Sequence, residues 1–168
     1  MSIKNLAKVA IVKAFKIGIR NSAKAVIIQD EKLLTIKIHE NGGTYYILPG
    51  GGQRHGENLH QALERECREE LGAKIEIGEL LFVREYIGKN HELAAYHSHA
   101  HQTEFMFLCK VTQETFNSGI SPDKGQIGIE WLPINRLLEY KLFPQALRPQ
   151  LISYFNSGKA PTYVGDIN

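Results

Sequence analysis

The feature that most constrains this chain is a glycine cluster followed at once by a strongly acidic helix, in the stretch LPGGGQRHGENLHQALERECREELGA, residues 48–73. Asn58 is a predicted N-cap, because Gln61 follows three residues later in a capping-box arrangement. Gly72 is a natural left-handed end for a helix. The sequence therefore predicts one well-delimited helix, from Asn58 to Leu71, directly after a glycine loop.

This helix places acids where its apolar stripe should lie. At about 100° per residue, Glu66 and Glu70 fall on the stripe that begins at Leu59, and Glu69 lies beside them. Burying ionised carboxylates without a partner is costly, so a cation must meet them. The spacing i, i+3, i+4 brings three hard oxygen ligands together, which suits Mg²⁺ or Mn²⁺ better than a soft metal.

The simplest alternative is a solvated helix face held by charge pairs one turn apart. Glu64 with Arg68, and Arg65 with Glu69, have the required spacing. This alternative explains neither the acids within the apolar stripe nor the glycine loop before the helix. The glycines at 50–52 allow backbone conformations and close approaches that other residues do not.

The order of these residues resembles the Nudix box, the signature of hydrolases that act on a nucleoside diphosphate linked to another group. Gly51 is followed after five residues by Glu57, and after seven more by RECREELG, residues 65–72. Every glycine, glutamate and arginine fixed by that 23-residue motif is present, while Cys67 and Ala73 stand where larger aliphatic residues are usual. The resemblance implies an α/β fold, a Nudix-type α/β/α sandwich with a mixed β-sheet.

The resemblance also implies a metal site and a catalytic base. Glu66, Glu69 and Glu70 would bind Mg²⁺ or Mn²⁺, with the Gly50 carbonyl as a further ligand. Family members do not all use the same general base. Glu66 or Glu70 could serve from within the motif, and Glu104, in the predicted strand HQTEFMF, is the candidate outside it.

Other side chains are expected to support this site. The resemblance implies that Glu57 and Arg65 form an ion pair that fixes the loop against the helix. Arg84 could contact phosphate, and Tyr45 or Tyr46 could stack on a base, although partly buried sheet residues of these types are as often structural. The alternating histidines of HSHAH, residues 97–101, fit a polar loop better than a zinc site.

The implied function is Mg²⁺- or Mn²⁺-dependent hydrolysis of the pyrophosphate in a nucleoside diphosphate derivative, with ADP-ribose or another nucleotide sugar as the favoured substrate. The alternative substrate is a nucleoside triphosphate. A different class of function is a catalytically silent nucleotide-binding module. Loss of the motif's acids would mark such a module, and none is lost here.

The pattern along the chain predicts a basic N-terminal segment at residues 1–19, a Nudix domain at 20–157 and a C-terminal tail at 158–168. AKAVIIQD and KLLTIKIH, separated by the polar DEK, predict a hairpin, and TYYIL predicts the next strand. After the helix, the predicted elements are the strands AKIEIGELLFVREYI, TEFMFLCKVT and IGIEWLP and the helices INRLLEY and FPQALRPQLISYF. Pro149 is expected to break or kink the last helix.

Composition limits the partners and the compartment. The chain has 168 residues and a net charge of +2 from 20 basic and 18 acidic residues, so no general nucleic-acid footprint is expected. Without a long apolar run or a disulfide framework, the sequence predicts a cytoplasmic protein with no membrane partner. The resemblance implies a small-molecule nucleotide as the substrate. A homodimer is kept as an alternative to a monomer.

The first 20 residues contain five basic residues and no acid. Their apolar residues fit helical spacing, so a short helix or strand packed on the domain is expected. Targeting to an organelle, or anchoring to a membrane surface or to RNA, is the alternative that an acid-poor segment allows.

Overall fold

The molecule is built on one mixed, strongly curled sheet. The computed structural model describes residues 18–40, 42–92, 94–113 and 125–168. The strands are β1 (Arg20–Gln29), β2 (Lys32–Glu40), β3 (Gly43–Ile47), β4 (Gly50–Gly52), β5 (Lys74–Ile87), β6 (His101–Gln113), β7 (Gln126–Pro133), β8 (Leu142–Phe143) and β9 (Tyr163–Asp166). The helices are α1 (Leu59–Leu71), α2 (Ala94–His97) and α3 (Arg148–Ser157), with 3-10 turns at Gly88–Asn90, Ile134–Glu139 and Gln145–Leu147.

Strand β1 lies at the centre of this sheet. The strand order is β8-β3-β2-β1-β6-β5-β9, while β4 pairs with β1 and β7 pairs with β2. The pairs β1–β6, β3–β8 and β5–β9 are parallel, and the other pairs are antiparallel. Asp30 and Glu31, with φ of 49° and 58°, form the tight turn of the predicted β1–β2 hairpin.

Successive side chains of β1 face opposite sides of the sheet and enter two separate cores. The core under the acidic helix contains Ala23, Ala25 and Ile27 of β1 and Leu63, Cys67 and Leu71 of α1. The core on the opposite face contains Val26, Phe82 and Met106 of the sheet and Leu147 and Leu151 near the C-terminus. Helical segments therefore cover both faces, which confirms the predicted α/β/α sandwich.

Helix α1 begins and ends as its sequence predicts. The Asn58 side chain accepts a hydrogen bond from the backbone N–H of Gln61 at 2.9 Å, and the Gln61 side chain accepts one from the backbone N–H of Asn58 at 2.9 Å. Gly72 is left-handed, with φ of 64°, and its N–H bonds the Arg68 carbonyl. Since both caps are local, the two ends of α1 are fixed by sequence close to them.

Several elements after β5 differ from their sequence predictions. The predicted helix FPQALRPQLISYF is divided, because residues 145–147 form a 3-10 turn and α3 begins at Arg148. Pro149 lies in the first turn of α3, where its fixed φ is compatible with the helix and its missing N–H costs no intrahelical hydrogen bond. Residues 163–166, assigned by sequence to a tail, form β9 and pair in parallel with β5. The predicted helix INRLLEY is a 3-10 turn, and the segment between β5 and β6 contains α2.

The basic segment up to residue 17 lies outside the described residues. So does most of the stretch NSGISPDKGQ, residues 117–126, whose composition predicts a loop. No helix in the described part of the chain is long and apolar enough to cross a membrane.

The core under α1 generates a stability prediction. Leu63 is completely buried, so Leu63→Ala removes packed side-chain atoms and leaves a cavity. We expect a loss of about 2–5 kcal/mol in the free energy of unfolding, measured by urea denaturation. Glu64→Ala, at the exposed neighbouring position, is the control and should change the value by less than about 0.5 kcal/mol. Equal effects of the two substitutions would mean that α1 does not pack as described.

Candidate active site

The glycine loop lies flat on β1 and is tied to α1 by a buried acid. Strand β4 pairs with Ser22–Lys24 of β1. Gly50 has φ of 117°, and a Cβ at this position would collide with the Ala23 carbonyl oxygen. Its N–H donates to Glu70 Oε2 at 2.7 Å, and Glu70 is only 1% exposed. One of the three predicted acids is therefore buried on the core side of the helix.

Glu66 lies against the next glycine of the loop. A Cβ on Gly51 would come within 2.6 Å of the Glu66 carboxyl carbon, so any other residue here would displace this carboxylate. Glu66 Oε1 accepts a hydrogen bond from Arg65 Nη1 at 2.5 Å. Glu69, the most exposed of the three acids, lies 3.6 Å from both Arg65 Nη1 and Arg54 Nη2. Arg65 thus contacts two of the predicted metal ligands.

A bidentate ion pair joins the end of the loop to the helix, with the geometry that the sequence predicts for Glu57 and Arg65. Arg65 Nε and Nη2 donate to the two Glu57 carboxylate oxygens at 2.6 and 2.9 Å. Nη2 also donates to the Gly52 carbonyl at 3.0 Å. Hydrogen bonds from Arg65, and then from the Arg54 N–H, lower the pKa of Glu57 from 4.5 to about 2. The same pair raises the pKa of Arg65.

Lys24 is a residue of this site that sequence reasoning missed. Its ammonium group donates a hydrogen bond to the Gly50 carbonyl, the group predicted to be a metal ligand. The sequence feature that could have indicated it is a single charged residue inside the apolar run of β1. A built-in cation therefore already contacts one oxygen of the expected cation site.

The donors around the loop suit a hard divalent ion. They are carboxylates and a backbone carbonyl, and that carbonyl already accepts a bond from a cation. Among the residues that the structure describes, no three or more His, Cys, Asp or Glu side chains form a ready-made metal cluster. The chemistry of the donor set fits Mg²⁺ or Mn²⁺, and the assignment of Glu66, Glu69, Glu70 and Gly50 as ligands stays a prediction.

Glu104 has partners that its sequence does not reveal. It accepts hydrogen bonds from Arg84 Nε at 2.5 Å and from Gln102 Nε2 at 3.1 Å. Burial acts to raise the pKa of Glu104, but the charges of Arg84, Lys24 and Arg20, together with the hydrogen bond from Arg84, outweigh burial and lower it. A carboxylate tied in this way is a weak proton acceptor, so the geometry favours Glu104 as a partner of Arg84. Its role as a base stays a prediction.

A cavity of about 570 Å³ opens beside this ion pair. Its aromatic walls include Tyr45, Tyr86 and Phe143, and its polar lining includes Arg84, Glu104 and Asn168. A smaller cavity of about 80 Å³ shares Arg84, Glu104 and Phe143 with it and is also lined by Lys24. The large cavity thus adjoins the glycine loop through Lys24.

Of the two tyrosines of β3 that could stack on a base, only Tyr45 lines this cavity. Tyr45 lines it, with its ring edge-on to Phe143 at 5.9 Å between centroids. Tyr46 directs its hydroxyl to Glu130 at 3.3 Å instead. Phe143 and Asn168 carry no local sequence signal, because chain folding alone brings them to the cavity.

The family model of the NUDIX domain matches residues 14–152. The chain belongs to the Nudix family. This membership confirms the predicted family and the enzyme class, a pyrophosphohydrolase acting on phosphoric anhydrides. No curated protein matches the sequence at a significant level.

Solved structures share the Nudix fold with this chain. A Nudix hydrolase from Nitrosomonas europaea is 23% identical with a TM-score of 0.66, covering 86% of this chain and 93% of its own. An ADP-ribose pyrophosphatase from Streptococcus suis 89-1591 is 18% identical with a TM-score of 0.59, covering 89% and 98%. A UDP-X diphosphatase is 21% identical with a TM-score of 0.63, covering 99% and 76%. At these identities the likeness shows the fold.

The Glu57–Arg65 pair predicts a specific pH dependence of stability. Because folding lowers the Glu57 pKa from 4.5 to about 2, this carboxylate stabilises the fold above about pH 4.5 and loses that effect as the pH falls towards 2. Glu57→Gln should therefore be less stable than the parent near neutral pH, and the gap should narrow in acid. Urea unfolding at about pH 7, 5 and 3 measures this difference in the free energy of unfolding. The exposed Glu64→Gln is the control. A gap independent of pH would contradict the assigned pair.

Proposed function

We propose that this Nudix protein is a Mg²⁺- or Mn²⁺-dependent hydrolase that cleaves the pyrophosphate of a nucleoside diphosphate linked to another group, with ADP-ribose or another nucleotide sugar as substrate. The observation that carries the proposal is the acidic face of α1 held against the glycine loop by the Glu57–Arg65 pair. The cavity of about 570 Å³ beside this loop has the size of a small-molecule site.

In this proposal Glu66, Glu69, Glu70 and the Gly50 carbonyl hold the metal. When bound, the ion neutralises the pyrophosphate and makes a water ligand more acidic. For Gly50 to act as a ligand, Lys24 must share or release its carbonyl, because the ammonium group bonds it here. If Lys24 releases this carbonyl, its ammonium group would stay beside the smaller cavity, where a phosphate group could accept a hydrogen bond from it.

The remaining charged residues position these groups. Arg65 is anchored to Glu57 and to the Gly52 carbonyl, so it fixes the loop's backbone relative to the acids of α1. Displacement of catalytic groups by even about 1 Å can cost on the order of 100-fold in rate. Glu66 or Glu70 would take the proton from the attacking water, and hydrolysis would release a nucleoside monophosphate and a second phosphate compound.

Two observations support a nucleotide sugar over a nucleoside triphosphate. The cavity extends away from the glycine loop between Tyr45, Tyr86 and Phe143, which gives apolar walls for a group beyond the phosphates. Proteins of this fold include an ADP-ribose pyrophosphatase and a UDP-X diphosphatase.

A substrate panel tests the proposal. ADP-ribose, other nucleotide sugars and nucleoside triphosphates are incubated with the protein and Mg²⁺ or Mn²⁺, and both products are identified. We expect nucleoside monophosphate and a sugar phosphate, with activity lost in chelator and restored by metal. Full turnover in metal-free buffer would contradict the metal assignment. Release of pyrophosphate from triphosphates alone would establish the alternative substrate class.

Glu69→Gln tests the acidic face with little risk to the fold, because this side chain is one-third exposed. Loss of a charged metal ligand should remove about 3 kcal/mol of transition-state stabilisation, or on the order of 100-fold in kcat. Glu64→Gln on the exposed face of the same helix is the matched control and should retain the parent kcat. An unchanged kcat in Glu69→Gln would mean that Glu69 is a surface acid only.

A further inference from the structure

Arg84 lies at the edge of the cavity with part of its guanidinium already oriented. Nε donates to Glu104 at 2.5 Å, and Nη1 donates to the Ile167 carbonyl at 2.5 Å. The side chain is only 8% exposed, and its guanidinium lies over the Tyr86 ring, 5.6 Å from the centroid. In the part of the chain that the structure describes, Nη2 makes no hydrogen bond. Two contacts thus fix the fork and leave donors for a ligand.

The charge around Arg84 favours an anion. Arg20, Lys24 and Arg84 all lie close enough to Glu104 to lower its pKa, so three positive charges surround one carboxylate. Lys24 and Arg84 both line the smaller cavity. A planar fork with a fixed orientation is well suited to phosphate oxygens, because little side-chain entropy remains to be lost.

The C-terminal strand helps to set this orientation. Asp166 accepts hydrogen bonds from the backbone N–H of Ile87 at 2.9 Å and from Asn90 Nδ2 at 2.6 Å, and its Oδ1 lies 2.6 Å from His91 Nε2. These contacts tie β9 to the turn after β5. Because Ile167 follows directly, its carbonyl is held against Arg84.

We propose that Arg84 binds a phosphate of the nucleoside diphosphate substrate, and that Glu104 and the C-terminal strand are positioning elements for it. This inference rests on the proposed function. It makes residues 166–168 part of the substrate site, although they lie far along the chain from the Nudix motif. Asp166 acts only through Arg84, by holding the Ile167 carbonyl in place.

Binding of inorganic pyrophosphate in the presence of chelator tests this site without catalysis. Titration calorimetry should detect binding to the parent protein. Arg84→Lys keeps the charge but loses the planar fork, so we expect its affinity to fall by about tenfold or more. Arg136→Lys is the matched control, because Arg136 forms an exposed bidentate pair with Glu139 and lines neither cavity. It should bind pyrophosphate as the parent does.

Asp166→Ala tests the positioning role. It should weaken pyrophosphate binding by about threefold to tenfold and raise KM with little change in kcat, because Arg84 is retained but less well oriented. Tyr163→Phe removes an exposed hydroxyl contact of the same strand, to Glu85, and should leave both values unchanged. Mn²⁺ binding measured by electron paramagnetic resonance should stay within the parent's range in all folded variants. Thermal unfolding is measured only to establish that each variant is folded at the assay temperature, because loss of the buried Arg84 contacts or of the Asp166 contacts lowers stability.

Several results would overturn the inference. Failure of the parent to bind pyrophosphate at millimolar concentration would do so, even if the protein hydrolyses a nucleotide sugar. So would parent-like binding in Arg84→Lys. Arg20 and Arg54 line a separate cavity of about 440 Å³ beside the glycine loop. If Arg54→Gln loses pyrophosphate binding and Arg84→Lys keeps it, the anion binds in that cavity and the inference is wrong. If Asp166→Ala unfolds, Asp166→Asn replaces it in the same measurements, and parent-like affinity would remove the strand's role.

Discussion

The rest of the site depends on the hydrogen bonds that the Arg65 guanidinium makes. It bonds both oxygens of Glu57, the Gly52 carbonyl and the Glu66 carboxylate, so one side chain joins loop, helix and acidic cluster. The fixed fork of arginine makes these contacts directional, which a lysine could not reproduce. The loop and helix are adjacent in sequence, yet their relative geometry is set by this tertiary contact.

The substrate cavity has a different origin from the loop and helix. Its lining comes from β2, β3, β5, α2, β6, β8 and Asn168, most of which are separated by long stretches of chain. The sheet brings them together, because β9 pairs with β5 while β3 pairs with β8. The chemistry of phosphate cleavage and the recognition of the attached group are therefore built by separate parts of the sequence that meet at Lys24 and Arg84.

Sequence reasoning was most successful where the determining interactions are local. The caps of α1 and the spacing of its acids depend on residues within a few positions of each other, so they could be predicted. Family resemblance supplied the fold and the Glu57–Arg65 pair. The Arg84–Glu104 pair could not be predicted, because it depends on the register between β5 and β6. Strand β9 pairs with residues about 80 positions earlier in the chain, so its short sequence carries no local signal for a strand.

The alternation of side chains along β1 limits how this sequence can change in length. Ala23, Ala25 and Ile27 face α1, while Lys24 and Val26 face the other side, where the cavity and second core lie. Inserting or deleting one residue here would exchange these faces, since the side-chain period of a strand is two. The lysine would then enter an apolar core, and the glycine loop would lose its register. Length variation should be rare in β1 among related chains and concentrated in connections such as residues 88–100.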